Sequence, residues 1–153
     1  MERVELKTKE AAQAYEILSG AKYQKLSDDD KVKVWKISRK LSSIAEEYNK
    51  DVEDAKKRLL PSEDFPQRLQ VALQYQSLRD AGEKDLPISE EEFNKTANEW
   101  NKYNSLLDKA LKDKAEEKVS IEIDAITEEA FGKLMASNDW SFAQVNSLEF
   151  MIG

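Results

Sequence analysis

Residues 28–59 read DDDKVKVWKISRKLSSIAEEYNKDVEDAKKRL, and how this stretch is read decides the fold. Val34, Ile37, Leu41, Ile44, Tyr48, Ala55 and Leu59 recur mostly at steps of three and four, which places them along one side of an α-helix. At 1.5 Å per residue the stripe extends for about 40 Å or more. Ser27 stands where its hydroxyl can accept from the free amides of a first turn, and Asp28, Asp29 and Asp30 suit the positive end of the helix. A calcium loop would need alternating ligands and a central glycine, and the Asp run has neither. Pro61 closes the stretch. The spacing therefore predicts one long helix over about 28–59.

Working outward, the chain punctuates into further helices. Thr8 is expected to cap a helix through Ala11, Ala12, Tyr15 and Leu18 that stops at Gly20. Ser62 is expected to start a shorter helix with Phe65, Leu69, Ala72, Leu73 and Gln76 on one side. Its Pro66 falls in the first turn, where a missing N–H does least harm. A loop, AGEKDLP (81–87), is bracketed by Gly82 and Pro87. Ser89 and Glu92 then form a capping box for a helix carrying Phe93, Ala97, Trp100, Asn104, Leu107 and Leu111, running from 89 to about 116.

Past residue 116 the period changes from helical to alternating. In KVSIEIDAI (118–126), Val119, Ile121 and Ile123 point one way and Ser120, Glu122 and Asp124 the other, a strand pattern. A lone strand leaves its ladder groups unpaired. Its partner is expected to be the matching pattern in ERVELK, residues 2–7, so that 2–6 pairs with 119–124. Thr127 opens a helix with Phe131, Leu134 and Met135, and Ser141 with Gln144 makes a capping box before FAQVNSLEFMIG. The fold expected is mainly α. A long antiparallel helix pair (about 28–59 and 89–116) is joined by shorter helices and by a small two-stranded sheet linking the N-terminal and C-terminal regions. A length of 153 residues suggests a single helical domain, 1–153.

Composition narrows the chemistry. Cysteine and histidine are both absent, which removes thiolate nucleophiles, Ser-His-Asp triads and His-ligated zinc. The four glycines are too far apart to cradle a phosphate locally. No catalytic residue, cofactor or metal site is expected. The 24 Lys and Arg against 31 Asp and Glu give −7, which disfavours nucleic acid and anionic membranes. No apolar run approaches the roughly 20 residues that span a bilayer. MERVELKTKEAAQ has charges where a signal peptide needs an apolar core, so a cytoplasmic location is expected.

Two stretches stand out as candidate partner-binding surfaces. KVKVWKISRK (31–40) holds five basic residues and no acid. At 100° per residue Lys33, Lys36, Arg39 and Lys40 fan over the side opposite Val34, Ile37 and Leu41. The face reads either as an ordinary solvated helix face, the commoner case, or as an electrostatic patch. Residues 1–60 support the patch, with 14 basic and 12 acidic residues (+2) against 10 and 19 (−9) in the remainder. Trp35 lies beside the core stripe, placed either to stack on a base or, the commoner case, to edge the core. The second stretch is LEFMIG at the end of the chain, apolar nearly all round with Leu148, Phe150, Met151 and Ile152, and Trp140 and Phe142 flank its start and extend it. It reads either as a C-terminal helix plugged into the core, the favoured reading, or as a surface for a partner or a second copy.

Taken together, WKISRKLSSIAEEYNKD (35–51), EEFNKTANEWNKYNSLLDK (91–109), VSIEIDAI (119–126) and SLEFMI (147–152) resemble an uncharacterised family of small bacteriophage and prophage proteins. VSIEIDAI and SLEFMI are the most specific parts, and residues 61–88 match less well. The resemblance implies a non-enzymatic, phage-encoded interaction protein acting through helix surfaces in virion assembly or host takeover, in the host bacterial cytoplasm. It offers no catalytic residues to carry over. An inhibitor of a host defence protein is the alternative, and an enzyme using carboxylates and a metal is a third option. A phage or host protein is the expected partner.

Overall fold

The computed structural model describes all residues, 1–153. It is mainly α, with six α-helices and one two-stranded sheet. In order these are β1 (Glu2–Lys7), α1 (Thr8–Ser19), α2 (Asp28–Arg58), α3 (Phe65–Asp80), α4 (Glu90–Glu116), β2 (Lys118–Ile123), α5 (Glu128–Ala136) and α6 (Phe142–Leu148), closed by a 3-10 turn, Glu149–Met151. The chain divides into two compact units, one combining Met1–Asp51 with Asp113–Gly153 and the other comprising Val52–Lys112.

In the first unit β1 and β2 pair antiparallel, with Val4 opposite Ile121 and Leu6 opposite Val119. Alternation then sends Ile121 and Ile123 into the core, while Arg3, Glu5, Ser120 and Glu122 stay exposed. That core gathers Ala11, Ala14 and Leu18 of α1, Val34, Ile37 and Leu41 of α2, and Ala130, Phe131 and Leu134 of α5. Leu148 and Met151 from the end of the chain complete it, both fully buried. The segment therefore plugs its own core. It is not one continuous helix as FAQVNSLEFMIG suggests. α6 ends at Leu148, the 3-10 turn follows, and Ile152 forms a parallel bridge with Ile126. The Ile126 amide donates to Met151 O at 2.9 Å, and the Gly153 amide to Ile126 O at 3.2 Å.

The caps were mostly written in the sequence. Thr127 Oγ1 accepts from the Ala130 amide, and Ser141 and Gln144 exchange both bonds of the expected box. Thr8 departs from expectation. It lies inside α1, buried, and its hydroxyl donates to Glu117 O at 2.7 Å. The Lys7 amide instead donates to Glu10 Oε1. Asn138 ties α5 to the loop after α1, accepting from the Lys22 amide at 2.8 Å and donating to Lys22 O at 3.0 Å and Leu134 O at 2.8 Å.

The second unit has an aromatic core. Phe65, Ala72 and Tyr75 of α3 are buried with Ala55, Thr96 and Tyr103. Tyr75 stacks on Phe93 at 4.8 Å, and Phe65, Trp100 and Tyr103 form a three-ring cluster with centroids 5.9 to 6.3 Å apart. α3 starts at Phe65, not at Ser62, because Asp64 occupies the entry position and Pro66 the first turn. Its buried side also differs from the one expected. Leu73 is 58% exposed and Gln76 is exposed, while Tyr75 takes the interior place.

Both long helices contribute to each unit. In the first, Lys114 of α4 meets Glu47 and Asp51 of α2 at 3.5 and 3.6 Å. In the second, the Tyr103 hydroxyl donates to Lys56 O at 3.3 Å.

Candidate functional site

The solvent face of α2 is built by helical geometry. Taking Val34 as zero, Trp35 lies about 100° around the axis and about 160° from Ile37. It does not edge the core as the sequence reading supposed. Its side chain is on the surface, 54% exposed, and the Arg39 guanidinium lies 4.9 Å from the ring centroid. The spacing is i to i+4, which brings one residue over the other on a helix. Val32, one turn earlier, is 47% exposed. Lys36 and Lys40 are exposed, Lys33 is half-buried, and Met1, fully at the surface, joins Lys36, Arg39 and Lys40 around a shallow depression.

The charges on this face are largely unspent. Lys40 Nζ donates to the backbone O of Glu122. Lys33, Lys36 and Arg39 form no ion pair, although the first unit pairs other cations readily. Lys7 and Lys9 clamp Glu116 at 2.8 and 3.1 Å. The hydrogen bond from Lys7, then that from Lys9, holds the Glu116 carboxyl below the ordinary carboxylate range, and the Lys7 ammonium rises in turn. That group is structural. Arg39 and its neighbours have no such partner.

The C-terminal candidates separate from this face. Phe142 starts α6 and is 86% exposed. Trp140 is half-buried and lines a groove with Ile17 of α1 and Ala143 of α6. Phe150 is half-buried against the core and lines an adjoining depression with Leu6. The set belongs to the α1–α6 seam, whereas the basic set belongs to α2.

A cavity of about 500 Å³ in the second unit is lined by Asp64, Arg68, Ile88, Glu92, Lys95 and Thr96, among others. Arg68 is already committed there. Its Nη2 lies 2.9 Å from Glu99 Oε2 and its Nε 3.2 Å from Asp64 Oδ2. Glu99 chiefly raises the Arg68 pKa, and the Ser62 hydroxyl chiefly lowers that of Asp64. No group of three or more acidic side chains is placed to hold a metal ion. No helix is long and apolar enough to cross a membrane.

Sequence reasoning marked the four cations, missed Val32 and Met1 as parts of the same surface, and favoured the core edge over the surface for Trp35. Angular bookkeeping on Trp35 was the signal available, since a position 100° from Val34 and 160° from Ile37 belongs to the outer face. No family model, no curated protein and no solved structure matches the chain.

Proposed function

We propose that this chain is a non-enzymatic interaction protein that binds a protein partner through the solvent face of α2. Trp35 carries the reading. It is a tryptophan kept half in water under an arginine, among cations without acidic partners. Isolated apolar side chains on a surface are ordinary, but Trp with Arg is the pairing enriched where interfaces concentrate their binding energy. The Arg39 contact favours the orientation of the indole under the guanidinium, and any such preference lowers the ordering cost of binding. The resemblance of VSIEIDAI and SLEFMI to phage proteins supports, on its own, a phage or host partner in virion assembly or host takeover. Inhibition of a host defence protein is one form of that role.

The test is site-specific photocrosslinking in producing cells, with benzoylphenylalanine at position 32. A discrete adduct to one protein, absent when Trp35→Ala or Arg39→Gln is added, is the expected result. No adduct, or one indifferent to both changes, refutes the reading.

A further inference from the structure

We infer that the α2 face takes a short acidic segment of its partner protein, one in which an apolar side chain lies between carboxylates. The inference rests on the reading of α2 as the binding face and adds the chemistry of what binds there.

The layout of charge along the helix carries it. From Val32 to Lys40 the outer face holds Val32, Trp35, Lys36, Arg39 and Lys40, with Lys33 at its flank and no acid among them. That is about 12 Å of helix at 1.5 Å per residue. Acids bracket this window on the same side, all exposed: Asp29 a turn before it and Glu46 beyond it are in no ion pair, while Asp28 beside the first is shared with Lys31 at 4.0 Å and Glu47 beside the second with Lys114 at 3.5 Å. At 100° per residue Asp28 and Glu46 fall at the same angle as each other, 20° from Arg39. The surface thus has a short cationic and apolar centre between two anionic ends.

A long polyanion does not match that pattern. Duplex DNA carries one charge per about 1.7 Å of axis, so a rod laid along α2 would run off the cations onto carboxylates at either end. One face of the Trp35 ring is also covered by Arg39, which competes with a base for that side. A segment of three or four extended residues, or two helical turns, has the right length. Its carboxylates would lie against Lys36, Arg39 and Lys33, whose charges have no ion-pair partner in the chain. Arg39 presents a planar fork suited to a carboxylate. Its apolar side chain would rest on Val32 and the edge of Trp35, beside the exposed Met1. The acids bracketing the window would repel an acidic segment shifted out of register, which fixes where it docks.

The experiment measures fluorescence anisotropy of a fluorescein-labelled (Glu-Asp-Phe-Glu)3 peptide with the full chain. A neutral (Gln-Asn-Phe-Gln)3 peptide and a labelled twelve-nucleotide oligo(dT) run alongside. The expected result is saturable binding of the acidic peptide alone. It should weaken about tenfold between 50 and 300 mM salt, as screening shortens the reach of the charges. Trp35→Ala, and Lys36→Gln with Arg39→Gln, should each weaken it by about tenfold or more, as central interface residues do. Both variants should melt like the wild type, since they alter exposed side chains. Equal binding of the neutral peptide, no effect of the variants, or tighter binding of oligo(dT) lost in the same variants would each overturn the proposal. So would a wild-type dimer in sedimentation that the variants dissolve, since the occupant is then a second copy. If the acidic peptide fails while the crosslink from position 32 still captures a protein, the partner chemistry falls and the binding face stands. If both fail, both fall.

Discussion

Deleting Leu148–Gly153 should unfold the first unit. The segment loses Leu148 and Met151, both with no exposed surface, together with the half-buried Phe150 and Ile152. A fully buried side chain of this size contributes about 1.5–3 kcal/mol and a half-buried one about half that, so the apolar loss is about 5–9 kcal/mol. The deletion also strips Met151 O from the buried Ile126 amide, and an orphaned buried donor costs about 1–3 kcal/mol more. A whole domain is stable by only about 5–15 kcal/mol. The truncated chain should therefore lose its cooperative melt, or melt far below the wild type, by circular dichroism, and light scattering should show aggregation through the opened core. A cooperative transition within about 5 °C of wild type would correspond to only a kcal/mol or two for a chain this long, and would refute the reasoning. A changed oligomeric mass with intact folding would instead make the C-terminal patch a docking surface.

Other expectations concern single sites. Ile37→Ala and Leu41→Ala should each cost about 2–4 kcal/mol by urea denaturation, being buried, whereas Lys33, Lys36 and Lys40 changed together to Gln should stay within about 0.5 kcal/mol. Asn138→Asp keeps the acceptor for the Lys22 amide but loses two donated bonds, so it should destabilise by about 1–3 kcal/mol in the same assay. Glu116 is held ionised by Lys7 and Lys9, so its folded pKa lies below the ordinary 4.5. Its stabilisation is therefore present above that value and is lost as pH falls through the depressed one. The melting difference between wild type and Glu116→Gln should accordingly narrow from pH 7 to pH 3. A difference that stays constant would show that the Lys7–Glu116–Lys9 clamp does not act through charge.

The elements were legible where periodicity and caps spoke together. Val34, Ile37 and Leu41 defined α2 from spacing alone, and the alternation of Val119, Ile121 and Ile123 identified β2 and, with Val4 and Leu6, its partner. What spacing did not reveal was the second unit's packing. There Thr96, Tyr75 and Tyr103 are buried and Leu73 is left in water: Phe65, Ala72 and Tyr75 share one side of α3, and Leu73 is turned about 100° from Ala72, away from Tyr75. Thr8 misled for a related reason. A hydroxyl near a helix start serves equally as a local cap or as a donor to a distant carbonyl, and only the fold brings Glu117 O within reach. On the α2 face the cations were visible as composition, whereas Trp35 required its angle to be followed around the axis. The short, kinked end of the chain was hidden because apolar residues on every side give no period to read.

The first unit is discontinuous, and this sets an order of events during synthesis. Lys7 pairs with Lys118, 111 residues later, so β1 has no partner until β2 has been made. At about 5–20 residues per second, that delay is roughly 6–20 s. Val52–Lys112 is continuous and can gather its aromatic cluster while β1 and α1 still wait. During this interval Val4, Leu6, Ala11 and Leu18 are without their final cover, and a growing chain in that state is a natural client for a holding chaperone. Pulsed hydrogen exchange on refolding should then show amides of Tyr75 and Tyr103 protected ahead of those of Val4 and Ile121. The reverse order would mean that the sheet, despite its long loop, nucleates the fold.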